Sequence, residues 1–93
     1  MKKVAYHVET RGLEEHQHPF YVIRYAVVQD GEELLASVAR YIQTLNGSKV
    51  QFLEPDMKKL QRQPDGMKMI DEIERVIKEE GARLAEELNN KQG

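Results

Sequence analysis

The sequence has no cysteine among its 93 residues. Disulfide bonds, thiolate catalysis, iron–sulfur clusters and cysteine-based zinc sites are therefore all excluded. Small secreted domains are usually stabilised by disulfides, so the lack of cysteine favours a protein that works in the reducing interior of the cell.

Long apolar runs are also missing. No stretch approaches the roughly 18 apolar residues that a membrane-spanning helix needs. The first residues include two lysines, as a signal peptide does, but His7, Glu9 and Arg11 follow before an apolar segment can form. We therefore expect a cytoplasmic protein that does not contact a membrane.

Recognisable catalytic motifs are absent as well. The sequence contains no nucleophile elbow, no zinc-protease helix and no phosphate-binding loop. Its adjacent glutamate pairs occur where helices and loops normally carry solvated charge. We expect neither an enzyme nor a cofactor-binding protein.

The composition is that of a folded domain. Charged residues make up 32% of the chain, hydrophobic residues make up 40%, and the net charge is -2. The length predicts one domain over residues 1–93, of which residues 90–93 are expected to fray. A domain this small buries only roughly 60 to 65% of the surface of its unfolded chain, which makes self-association a favourable way to bury more.

Two segments near the N-terminus predict strands. Residues 3–9 alternate between apolar and polar side chains, and residues 20–29 are rich in β-branched and aromatic types. If the two strands form a hairpin with their apolar faces together, His7 lies opposite Val22 and residues 10–19 form the loop.

The next segment has the features of a helix. Asp30 precedes Glu33 by three residues, as in a capping box, and Asn46 with Gly47 supplies a helix stop. Between them, apolar residues recur at spacings of three and four, namely Leu34, Leu35, Val38, Ala39, Ile42 and Leu45. We predict a helix over this segment.

A third strand is predicted over residues 48–54, with Val50 and Phe52 facing inward and Pro55 ending it. The connection that follows contains two prolines and room for one helical turn at residues 56–62.

The C-terminal segment, residues 67–89, predicts a long amphipathic helix. Its apolar stripe is formed by Met69, Ile70, Ile73, Val76, Ile77, Leu84 and Leu88. Gly81 interrupts it at a cost of about 1 kcal/mol relative to alanine, so the last turns are expected to be weaker.

Together these elements predict an α+β domain in two layers with the order ββαβα. Strand three returns parallel to strand two after the helical crossover, and strand one lies antiparallel between them. The sheet is therefore three-stranded and mixed, strand two lies at an edge, and two helices cover one face.

The outer face of this predicted sheet carries more apolar surface than a water-facing sheet normally shows. Ala5, Val22, Ala26 and Val28 lie on it, with Arg24 between them. We expect a second copy to cover it, with the long helix also able to reach a partner. The leading hypothesis is a small homodimeric domain of the regulatory, adaptor or inhibitor type that binds another protein.

A metal or small-ligand site is the first alternative. His16 and His18 follow Glu14 and Glu15, and imidazole and carboxylate suit zinc, nickel or copper. A structural zinc site needs four ligands on a scaffold, however, and loop histidines are usually solvated.

Weak nucleic-acid binding is the second alternative. The segment 47–68 is the only basic one of three, with local sums of -1, +2 and -3 along the chain. Lys58, Lys59 and Arg62 are the candidate contacts. Tracking a phosphate backbone usually needs a larger basic stripe, so nucleic acid is not the expected partner.

Overall fold

The structure is a computed structural model that describes residues 6–92, with side chains described as far as Leu88. Ala5 and Gly93 therefore lie outside the described residues. The side chains of residues 90–93 are not described either, so the predicted fraying of this segment stays a prediction. The elements are β1 (Tyr6–Gln17), β2 (Phe20–Gln29), β3 (Glu32–Thr44), β4 (Gly47–Phe52), α1 (Glu54–Gln61) and α2 (Gly66–Gln92).

Strand β3 occupies the segment for which a helix is predicted, so that prediction is wrong. Asp30 and Gly31 both have positive φ, 53° and 79°, as a type I′ hairpin turn requires. The pair therefore turns the chain between β2 and β3 and does not cap a helix. The apolar residues that follow fit both periods, and in the strand Tyr41 lies on the buried face.

The sheet is a four-stranded antiparallel meander in the order β1–β2–β3–β4. The α+β class is confirmed, with two helices on the sheet. The third predicted strand is confirmed as β4, but it ends at Phe52, and Pro55 lies in the first turn of α1 instead of ending the strand. Strand β4 is antiparallel to β3, and the predicted parallel pair and ββαβα order are wrong. The physical reason is that residues 32–44 form a strand, so a two-residue turn and not a helix joins β2 to β3, and such a turn makes the two strands antiparallel. Strand two lies inside the sheet, and strand one lies at its edge.

The β1–β2 hairpin is longer than predicted. Strand β1 continues to Gln17, and His7 lies opposite Val28, so the predicted register with Val22 is wrong. The register shifts twice within β1, on either side of Leu13, and Gly12 in the first shift has a φ of 98°. These bulges break the period-two pattern, which is why the segment does not resemble a strand in the sequence.

Both helices lie on one face of the sheet and form the core with it. The long C-terminal helix and the short one before it are confirmed as α2 and α1. The largest fully buried side chains are Tyr21, Ile23, Tyr25, Val27, Leu60, Met69, Ile73 and Ile77. Val50 and Phe52 pack against this core as predicted. The hydroxyl of Ser37 donates to the carboxylate of Asp56, which ties α1 to β3.

Gly81 is a packing residue as well as a weak helix former. It is buried against the ring of Tyr41, and a Cβ at this position would come within 2.6 Å of ring carbons Cδ1 and Cδ2. No other residue type fits there without moving the helix or the ring. The close approach of α2 to β3 therefore depends on this glycine.

The outer face of α2 is highly charged. Arg75 bonds Glu72 and Glu79, and Arg83 bonds Glu80 and Glu87, at distances of 2.7 to 3.0 Å. The hydrogen bond from Arg75 lowers the pKa of the Glu72 carboxyl. Neither helix in the described part of the chain has the length and apolarity that crossing a membrane requires.

Candidate functional site

The face of the sheet opposite the helices, here called the open face, has no secondary-structure element of residues 6–92 packed on it. Strand alternation places every second residue there, and the register aligns these residues across the strands. The pairs across β2 and β3 are Phe20 with Ile42, Val22 with Arg40, Arg24 with Val38 and Ala26 with Ala36.

The structure brings the four predicted interface residues together on the open face. Val22 and Val28 are half-buried there, and Arg24 is exposed. Ala26 differs, because its exposed fraction is 0% within the single chain. Its small side chain lies between those of Arg24 and Val28 along an interior strand, so it forms the floor of the face and offers no contact area.

The apolar surface extends well beyond β2. Val38 and Ile42 on β3 are half-buried, Phe20 is 42% exposed, and Leu53 is 50% exposed. Leu53 follows the inward-facing Phe52, so alternation directs it to the open face. We call Phe20, Val22, Val28, Val38, Ile42 and Leu53 the apolar patch.

Sequence reasoning missed the half of the apolar patch that lies outside β2. The predicted helix assigns Val38 and Ile42 to its buried stripe, and the predicted strand over residues 48–54 includes Leu53 but gives it no role. The signal that could have found them is the Asp30-Gly31 pair, which predicts a hairpin when the residues on both sides alternate.

Two arginines interrupt the apolar patch. Arg24 and Arg40 are exposed, and neither forms an ion pair with any of the described residues. The guanidinium carbon Cζ of Arg40 lies 5.6 Å from the centre of the Phe20 ring, within the range of a cation–π contact. Both guanidinium groups keep donors for acceptors on a partner.

Another arginine on this side of the sheet has its partners within the chain. Arg11 bonds the carboxylates of Glu9 and Glu33, and these hydrogen bonds raise its pKa. Because Arg11 has these partners, the positive charge that remains without an ion pair among the described residues of β2 and β3 is that of Arg24 and Arg40.

Two shallow pockets lie on the open face. One, of about 260 Å³, is lined by Glu15, His16, Gln17, Phe20, Val22 and Arg40. The other, of about 300 Å³, is lined by Arg11, Arg24, Tyr25, Ala36, Ser37 and Val38. Each combines an arginine with apolar side chains, so each is suited to receive a side chain from a partner surface.

His16 and His18 both contact Tyr21. The His16 ring stacks on it, with centroids 5.8 Å apart and planes 9° from parallel. His18 Nδ1 lies 3.4 Å from the Tyr21 hydroxyl oxygen. Within the described residues no group of three or more histidines and carboxylates is arranged to hold a metal ion. Metal binding by this pair stays a prediction.

Lys58, Lys59 and Arg62 lie at the end of α1 and just after it. Lys58 Nζ is 3.3 Å from a carboxylate oxygen of Glu54. Lys59 lines a pocket together with Asp30, Glu32 and Glu33. Two of the three cations thus have carboxylates nearby. A sum of charges along the sequence cannot reveal all of these neighbours, because Asp30, Glu32 and Glu33 are distant in the chain. Nucleic-acid binding through them also stays a prediction.

These features define a two-layer α+β domain with one open sheet face. Comparison of the chain with protein-family models, with curated proteins and with solved structures gave no match in any of the three.

Proposed function

We propose that this chain is a non-enzymatic protein-binding domain that forms a homodimer by packing one open face against another. The observation that carries the proposal is the apolar patch, which lies on the side of the sheet that neither helix covers. Removing apolar surface from water is the dominant favourable contribution to most protein–protein association. A domain whose main activity is to bind another protein acts as a regulator, an adaptor or an inhibitor, and we assign this chain to that type.

The size of the open face suits a stable dimer. Three strands of ten or more residues and one of six, spaced roughly 4.8 Å apart with about 3.3 Å per residue, give a footprint on the order of 600 Å². Specific interfaces bury about 800 Å² of accessible surface per partner, and a surface of side chains has a larger area than its flat projection. The open face is therefore of the right order for a dimer interface.

A second copy also has complementary charges. Two sheets packed face to face about a two-fold axis along the strands bring β1 of one copy over β4 of the other. Glu15 on β1 then faces the side that carries Lys49 and Arg40. The carboxylate supplies an acceptor that the single chain does not give these cations.

The test is the mass of the protein in solution, measured by light scattering over a range of concentrations. We expect a dimer at tens of micromolar, and we expect Val22→Glu to make it a monomer because the carboxylate would be buried in the interface. Met67→Glu is the matched control, since Met67 is an exposed apolar residue on α2 and should not affect the mass. A wild-type monomer at hundreds of micromolar would disprove the proposed dimer.

A further inference from the structure

Strand β4 covers only part of the outer edge of β3. It pairs with residues 39–44, from Ala39 opposite Phe52 to Thr44 opposite Gly47. Residues 32–38 of β3 have β2 on one side and none of the described strands on the other. We call this uncovered edge the β3 notch. At about 3.3 Å per residue it is roughly 20 Å long.

The direction of the backbone groups in the notch follows from one hydrogen bond. The Gln43 N–H donates to the Pro19 carbonyl at 3.0 Å, which places the hydrogen-bonding groups of Gln43 on the β2 side of β3. The register is regular from Leu35 to Ile42. The backbone N–H and C=O groups of odd-numbered residues therefore point toward β2, and those of even-numbered residues point away from it. The N–H and C=O of Ala36 therefore point into the notch.

No hydrogen bond from Ala36 to another element is found within the described residues. A strand edge with unused donors and acceptors is a template for another strand. We propose that the β3 notch binds an extended peptide segment, which adds to the sheet as a further strand beside β3.

The shape of the notch selects its occupant. At one end lies the Asp30-Gly31 turn, and at the other lies Leu53, where the chain leaves β4 for α1. If a second copy paired through its own β3 edge, its Asp30-Gly31 turn and its β4 would collide with the two ends of the notch. A peptide strand without flanking structure has no such obstruction, which is the mode known as β-augmentation.

Charge indicates the chemistry of that peptide. A pocket of about 250 Å³ at the turn end of the notch is lined by Gln29, Asp30, Glu32, Glu33, Leu34 and Lys59. Glu33 already bonds Arg11, so the carboxylates of Asp30 and Glu32 remain to face Lys59 there, and Leu34 contributes apolar surface. The partner that fits is an extended segment in which apolar residues alternate with others and a lysine or arginine lies near this end.

The experiment follows the amide hydrogen exchange of Ala36 by NMR while a probe heptapeptide of alternating lysine and valine is added. We expect the exchange to slow at least tenfold, because the N–H gains an acceptor. A heptapeptide of alternating glutamate and valine should bind at least tenfold more weakly. An unchanged Ala36 amide at saturating lysine–valine peptide, or equal binding of the two peptides, would overturn the proposal.

Two variants test the geometry. Ala36→Pro removes an N–H that the ladder with β2 does not use, so the sheet should remain and peptide binding should be lost. Ala36→Val keeps the N–H and should bind normally. Because the notch lies on the edge of the sheet and the proposed dimer interface lies on its face, the Val22→Glu variant should still bind the peptide. Loss of binding in that variant would show that the notch does not act independently.

Discussion

The two faces of strand β2 are made by the same ten residues and differ in what covers them. On the face toward the helices, Tyr21, Ile23, Tyr25 and Val27 are each at most 2% exposed. On the open face, Val22 and Val28 are only half-buried and Arg24 is exposed. One face is therefore fully covered within the chain, and the other is not.

This difference separates stability from binding. Both helices lie on one side of the sheet, so the half-buried apolar side chains on the other side contribute less to the stability of the single chain. Burial on the covered face stabilises the fold at any protein concentration. Burial on the open face depends on a partner, and its contribution should therefore depend on the concentration of that partner.

The largest expected effect compares one isoleucine from each face. Ile23→Ala removes a side chain that is 0% exposed in the core and should lower the free energy of unfolding by about 2 to 5 kcal/mol. Ile42→Ala, on the half-buried open face, should lower it by less than half as much. Urea denaturation at low protein concentration measures both values.

Repeating the measurement at high concentration sharpens the comparison. The loss for Ile42→Ala should increase with protein concentration, since the wild type gains stability from self-association, whereas the loss for Ile23→Ala should stay nearly constant. Equal losses at both sites and all concentrations would show that the two faces do not differ in the way described.

The next effect concerns the contact between α2 and the covered face. Alanine normally stabilises a helix interior by about 1 kcal/mol relative to glycine. At Gly81 the added methyl group would strike the Tyr41 ring, so we expect Gly81→Ala to lower the free energy of unfolding by about 1 to 3 kcal/mol. Ala82→Gly, at the exposed neighbour, is the control and should cost about 1 kcal/mol from propensity alone. Stabilisation by Gly81→Ala would contradict the close approach.

The elements with one clear period could be predicted from the sequence. The stripe from Met69 to Leu88 has no competing interpretation as a strand, and α2 follows it. Residues 20–29 are rich in β-branched and aromatic side chains, residues 48–52 alternate polar with apolar ones, and both segments are strands between turn residues. The position of Val22, Arg24 and Val28 on one uncovered face follows from alternation alone.

The strand β3 could not be predicted in the same way, because spacings of three and four also occur when apolar residues occupy both faces of a strand. Leu35 and Ala39 face the helices, and Val38 and Ile42 face outward, so the combined pattern resembles a helical stripe. Asp30 strengthened the wrong interpretation, since the same residue type caps helices and begins hairpins. The strand order, the open-face residues of β3 and the notch beside it all depended on this segment.

The smallest expected effect tests a polar atom on the covered face. The hydroxyl of Tyr25 is buried and has no hydrogen-bond partner among the described residues. Burying an unsatisfied hydroxyl lowers the free energy of unfolding by about 1 to 3 kcal/mol, and removing the hydroxyl recovers part of this loss. We expect Tyr25→Phe to raise the free energy of unfolding by about 1 kcal/mol, measured by urea denaturation at neutral pH. Tyr6→Phe, at a partly exposed tyrosine, should change it less.

The same side chain predicts a pH dependence with a definite sign. Burial, together with the nearby charge of Asp56, raises the pKa of Tyr25 well above its usual value. The unfolded chain therefore releases this proton near pH 10 while the folded protein retains it. The contribution of the protonated Tyr25 hydroxyl to the free energy of unfolding is therefore fully present below pH 10. Above pH 10 the free energy of unfolding falls by up to about 1.4 kcal/mol per pH unit. Tyr25→Phe should remove this part of the slope. An identical slope above pH 10 in both proteins would show that Tyr25 is not held neutral on the covered face.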